Sequence, residues 1–196
     1  MLVLLLTAHM VFSGTITINN NGATVQVQED PAANLVRRAT GQTFIVPAPT
    51  TQNRLTEFSF EIGGVPSGFD YEVFIYQWDG VDRPTGSPLF SSGPQTANAA
   101  GVVTFSGLTI DLTAGTPYIA FITTQGVVND VATSAFFMTN NGNVYTDGEN
   151  WDLTSTSTSS TALSATWALV APGQFDMDFN ATFGDVPVEL QSFSVE

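Results

Sequence analysis

Asp176-Met177-Asp178-Phe179-Asn180-Ala181-Thr182-Phe183 is the stretch that settles the fold class. Met177, Phe179, Ala181 and Phe183 alternate with Asp176, Asp178, Asn180 and Thr182. A period of two places the apolar set on one side of a pleated strand and the polar set on the other. Asp176 and Asp178 are therefore expected to share a face, about 7 Å apart at the backbone.

Similar signals recur outward from this stretch. Leu55 to Ile62 puts Phe58, Phe60 and Ile62 on one face, with Gly63-Gly64 and Pro66-Ser67-Gly68 as a turn. Tyr71 to Trp78 and Pro117 to Thr124 are apolar on both faces, as in the central strands of a sandwich. Gly41 to Val46 reads as a strand ended by Pro47 and Pro49. Val102 to Phe105, Leu108 to Leu112, Thr133 to Met138 and Ser164 to Leu169 read as shorter strands. Near the start, Thr15 to Ile18 and Ala23 to Gln28 flank Asn19-Asn20-Asn21-Gly22, a hairpin pattern. Glu29 to Arg38 is expected to be a short helix or loop, and Asp79 to Pro88 a turn-rich loop. The polar stretch Asn140 to Thr161 is expected to be a long exposed loop or a decorated strand pair. No segment sustains a 3.6-residue period, and no repeat of solenoid length occurs. About ten to twelve short strands divided by Gly, Pro and Asn turns predict an all-β, two-sheet antiparallel sandwich, jelly-roll-like.

The 196 residues suit one domain with tails. Met1 to Phe12 is an apolar run too short to span a bilayer and of the length of a signal-peptide core, but no basic residue precedes it. The expected organisation is a truncated leader over 1–14, a sandwich over 15–185 and a linker or tail strand over 186–196.

Composition excludes several function classes. Four arginines and no lysine stand against 18 acidic residues, for a formal charge of -14. Such a surface repels nucleic-acid phosphates and anionic lipid. There is no cysteine, and the one histidine is His9, inside the apolar leader. Thiol nucleophiles, lysine Schiff bases and, once the leader is removed, histidine base catalysis have no residue to use. No P-loop, dinucleotide fingerprint or nucleophile elbow occurs. No catalytic residues are assigned; paired carboxylates, as in glycoside hydrolysis, are the chemistry left over.

The remaining candidates are acidic or aromatic. Asp176 and Asp178, Asp79 and Asp82 in WDGVDRPTG, and Asp147, Glu149 and Asp152 in TDGENWD offer hard oxygens that suit Ca²⁺. Asx turns account for Asp79 and Asp82 without any ligand, and the last three lack EF-hand spacing. Tyr145, Trp151 and Trp78 could stack on pyranose rings, although Trp78 ends an apolar strand and is equally a core residue.

The segments GQTFIVP (41–47), LTEFSF (55–60), VFIYQWDG (73–80), TGSPLFSSGP (85–94) and LTAGTPYIAFIT (112–123) resemble a secreted β-sandwich domain of bacterial surface proteins, often of the PEP-CTERM, sorting-signal-bearing type. The resemblance implies an extracellular or cell-surface location and a non-catalytic structural or adhesive role. It carries no active-site residue with it. The partners expected are an extracellular glycan, another surface protein or a second copy, without nucleic acid or membrane insertion. A carbohydrate-binding module with Ca²⁺ is the first alternative. The second is a filament or matrix subunit adding Thr15 to Ile18 or Val188 to Val195 to a neighbouring sheet.

Overall fold

The computed structural model describes residues 14–18, 23–29, 37–46, 52–64, 68–123, 133–142, 144–154, 166–169 and 175–184. The expected leader up to 13, the Asn-Gly turn, the helix-or-loop reading of 30–36 and the tail at 186–196 lie outside the described residues.

Every described element is a strand, and the strands form two antiparallel sheets. The first sheet holds β1 (Gly14–Ile18), β2 (Ala23–Glu29), β4 (Arg54–Gly64), β8 (Gly101–Asp111), β10 (Thr133–Asn141), β13 (Phe175–Met177) and β14 (Phe179–Gly184). Its path runs β1-β14-β4-β10-β13, with β8 on β4 and β2 on β10. The second sheet holds β3 (Arg37–Ile45), β5 (Phe69–Trp78), β6 (Pro84–Ser91), β9 (Pro117–Thr123), β11 (Asn150–Thr154) and β12 (Ala168–Leu169), with the short β7 (Gln95–Ala97) on β5. Its order is β12-β11-β3-β9-β5-β6.

The predicted two-sheet sandwich is thus the observed architecture. Alternating side chains of β4 and β14 meet those of β3, β5 and β9 in one core. Phe44 of β3 lies 6.1 Å from Phe179 and 6.4 Å from Phe183 between ring centroids. Phe60 meets Tyr71 edge-on at 6.2 Å, and Phe90 of β6 meets Phe105 of β8 at 5.5 Å. These cross-sheet contacts hold the layers together through apolar burial and edge-to-face aromatic packing. A bulge at Thr56, seen as a register shift against β14, lets Leu55 join Phe58, Phe60 and Ile62 in the core.

Several local expectations are corrected. β1 and β2 do not pair with each other: β1 runs against β14 and β2 against β10. Non-local partners override the turn chemistry of the Asn-Gly segment. Arg37 and Arg38 open β3 rather than close a helix or loop. Pro84 to Pro88 lies in a strand, and an edge strand tolerates the missing N–H groups. Val102 to Leu112 holds one strand, not two: β8 continues through Gly107, whose positive φ of 71° marks an irregularity where β8 carries extra residues against β4. The polar stretch after Asn140 contains β11, an internal strand of the second sheet with Asn150 and Leu153 wholly buried.

Gly41 shows how closely β3 and β9 fit. A Cβ there would stand 2.4 Å from the Cβ of Phe121 and 2.6 Å from the carbonyl oxygen of Ala120. Gly41→Ala should therefore destabilise by about 1–3 kcal/mol through overpacking. That lowers the thermal midpoint by roughly 3–10 °C, which calorimetry would read; an unchanged midpoint would contradict this packing.

Candidate functional site

Two features could carry function: the end of the sandwich that holds Asp176, and the aromatic outer face of the second sheet.

The strand containing Asp176 breaks at Asp178, between β13 and β14. The expected shared face of the two carboxylates is not formed. Asp176 is fully buried, whereas Asp178 is half-buried. The break frees the Asp176 side chain from the alternation that Phe179, Ala181 and Phe183 continue to obey.

The buried carboxylate is saturated by N–H donors. Gln42 of β3 donates Nε2–H to Asp176 Oδ1 at 2.9 Å. The backbone N–H groups of Val144 and Tyr145 donate to Oδ2 at 2.7 and 2.9 Å. The other half of the Gln42 amide accepts from Met177 N at 2.8 Å. Gln42 and Asp176 lie in different sheets, so this network joins both layers to the turn after β10. Such donors compensate the desolvation of a carboxylate that has no arginine or lysine bonded to it in this network.

The same turn is fixed at further points. The Tyr145 hydroxyl donates to the carbonyl of Ile45 and accepts from its N–H, each at 3.1 Å. Burial pushes the Tyr145 phenol above its ordinary pKa; the Ile45 bond opposes this, and nearby Asp147 and Asp176 add to it. Thr43 donates its N–H to the Glu149 carbonyl at 3.0 Å, and Glu149 N–H returns a bond to Thr43 Oγ1 at 2.9 Å. A Cβ at Gly148 would meet the Thr43 carbonyl oxygen at 1.9 Å, so the turn closes flat against β3. Of the three acids expected there, Asp147 is exposed, Glu149 is half-buried and Asp152 is buried on β11. Asp152 is paired in register with Thr40, and Asn150 with Gln42, so these polar side chains share the inner side of the sheet. Thr40 Oγ1 lies 3.3 Å from Asn150 Oδ1.

Asp79 and Asp82 form a turn. Asp79 Oδ1 accepts N–H bonds from Val81, Asp82 and Arg83 at 2.7, 2.8 and 3.1 Å. Arg83 pairs with Asp82 at 2.9 Å and with Asp79 at 3.7 Å. Desolvation raises the Asp79 pKa, but the three backbone bonds and Arg83 outweigh it, and the net shift is downward. This is the Asx-turn geometry weighed against a cation site. Among the described residues, no group of three or more His, Cys, Asp or Glu side chains comes together as a metal site.

The aromatic candidates are placed as follows. Trp78 is 4% exposed and Trp151 9% exposed. They meet at 4.8 Å on the outer side of the second sheet, where Trp167 joins Trp78 at 6.2 Å and Phe121 at 5.0 Å. Phe74 and Tyr76 extend the cluster and are only partly buried. Trp167 is held over the sheet by its N–H bond to the Asp82 carbonyl at 2.8 Å. Trp151 is expected in an exposed segment; strand pairing with β3 and the packing of its ring on Trp78 bury it. Trp167, Phe74 and Tyr76 were not singled out from sequence. The apolar-on-both-faces reading of 71–78 was the signal that an outer aromatic surface needed a cover.

No family model and no curated protein matches the chain. Solved structures share its fold. One is the clostridial cysteine protease Cwp84 after propeptide cleavage, at TM-score 0.57 and 13% identity over 89% of this chain and 40% of that one. Another holds the cysteine protease and lectin-like domains of Cwp84, a surface layer associated protein of Clostridium difficile. It matches at TM-score 0.51 and 14% identity over 83% of this chain and 36% of that one. The chain thus spans well under half the length of either.

Removing the buried carboxylate tests this assignment. Asp176→Ala leaves Val144 N–H, Tyr145 N–H and the Gln42 amide without their acceptor, at a cost on the order of 3 kcal/mol. A chemical-denaturation midpoint equal to wild type would contradict the network. The Asp79 and Asp111 carboxylates titrate below their ordinary value, Asp111 chiefly through its hydrogen bond to Arg54. Their contribution is present above the unfolded-state pKa and is lost as pH falls through the depressed folded value. Asp111→Asn should flatten the acid side of the stability profile without altering it near neutrality beyond the loss of the pair.

Proposed function

We propose that this chain is a non-catalytic β-sandwich module of an extracellular or cell-surface protein, with structural or adhesive work. The observation that carries the reading is how its reactive side chains are used. The carboxylates that sequence offered for chemistry are engaged as hydrogen-bond acceptors of the fold: Asp176 between the sheets and Asp79 in its turn. The absence of cysteine sets the chain apart from a thiol protease. The likeness to structures that include a lectin-like domain of a surface-layer-associated protein supports a surface module. So do the charge of -14 and the resemblance to secreted sandwich domains.

A glycan-binding role is the second reading. The partly exposed Phe74 and Tyr76 favour it, since flat apolar rings beside polar neighbours suit pyranose faces. Trp78 and Trp151 are both buried, and stacking on Trp78 would require displacement of Trp167. Thr15 to Ile18, one of the two strands of the filament reading, pairs with β14 of its own sandwich.

Protease shaving of intact native cells tests the surface assignment. The expected outcome is loss of the antibody signal for this chain without lysis; a signal that survives shaving and appears only after lysis would overturn it. A glycan array with wild type and Tyr76→Ala separates the two readings. Retention by wild type and loss in the variant would establish glycan binding; no retention leaves the structural role.

A further inference from the structure

We propose that the outer edge of β8 pairs antiparallel with the same edge of a second copy of this chain. Among the described residues β8 pairs with β4 alone, so its other side presents a row of backbone N–H and C=O groups. From Gly101 to Ser106 it runs in unbroken register with Ile62 to Glu57 of β4. This six-residue run precedes the irregularity at Gly107. It contains no proline and no charge. Those are the devices by which edge strands ordinarily prevent pairing. Val102 is 67% exposed on it.

Three other edge strands, β6, β12 and β1, are less suited. β6, which closes the same side of the second sheet, carries Pro84 and Pro88 and a positive φ of 73° at Gly86. β12 has two residues and β1 five, against eleven in β8.

Charge identifies the occupant as a like copy. A chain of charge -14 repels itself wherever acids face one another. From Pro84 to Ile110 there is no Asp, Glu, Lys or Arg, and this span supplies both edges on this side of the sandwich. Asp111, at the end of β8, is paired with Arg54 at 2.6 Å. The nearest acids on the adjoining strand are Glu57 and Glu61 of β4, opposite Ser106 and Val102. In a β8-to-β8 pair the two β4 strands would stand three strand spacings apart, roughly 14 Å. That exceeds the Debye length of about 8 Å at physiological salt. An antiparallel pair of identical strands is also self-complementary about a two-fold axis.

The experiment uses the full chain, whose lack of cysteine makes single introduced thiols clean reporters. Val102→Cys, Thr104→Cys and Ser106→Cys, alone and mixed pairwise, are oxidised mildly, with Val144→Cys on the far turn as control. The expected result is disulfide dimers from edge positions and none from the control. Sedimentation should show a monomer–dimer equilibrium that shifts toward dimer as salt is raised, because screening weakens the residual repulsion. Thr104→Asp, an exposed change that sets like charges across the axis, should reduce the association at least tenfold. Wild type that remains monomeric to about 1 mM at both low and high salt would overturn the proposal. So would a dimer that Thr104→Asp leaves intact and no edge cysteine cross-links.

Discussion

The meeting of Asp176 with Gln42 and the 144–145 backbone is the interaction on which the end of the sandwich depends. A carboxylate wholly removed from water must find donors, and here it draws them from both sheets and from the turn after β10. Its demand fixes the turn, the turn brings Tyr145 against Phe179 at 6.2 Å, and Thr43 then locks Glu149 so that β11 can enter beside β3. The carboxylate that looked available for chemistry is thus a structural acceptor.

A second constraint comes from the strands that are apolar on both faces. β5 and β9 send Tyr71, Val73, Ile75, Tyr118 and Ile122 inward, and Phe74, Tyr76, Ile119 and Phe121 outward. The outward set would expose a large apolar surface if nothing covered it. Trp167, drawn across by its bond to Asp82, buries part of it together with Trp78 and Trp151. The turn at Asp79–Arg83 therefore has a packing role: its Asx geometry holds the Asp82 carbonyl that receives the strap.

Legibility in the sequence followed the range of the interactions. The core face of 177–183 and the set Phe58, Phe60 and Ile62 were readable because alternation is a local property of a strand. Pairing was not. The Asn-Gly turn suggested a hairpin, but β1 and β2 find partners in β14 and β10, more than a hundred residues away along the chain. Trp151 sits among polar residues and reads as exposed; its strand is defined by β3, and its ring packs on Trp78. Asp176 was placed on the correct strand but on the wrong side of the surface. Alternation describes a regular ladder, and the break at Asp178 has no signature in the pattern of polar and apolar residues. Prolines at 84 and 88 suggested a loop because their meaning depends on whether a strand lies at an edge, which only the assembled sheet decides.

The acids of this chain leave one long span free of charge, from Pro84 to Ile110, along β6 and most of β8. Function for such a module rests on which surfaces stay available once the fold has taken its acceptors and rings. Asp176 belongs to the interior and holds the turn. Amide hydrogen exchange at Val144 and Tyr145 in the wild-type chain tests it most directly. Protection comparable to that of the central strands β4 and β9 is the predicted result; exchange of these two amides at the rate of an open loop would contradict it.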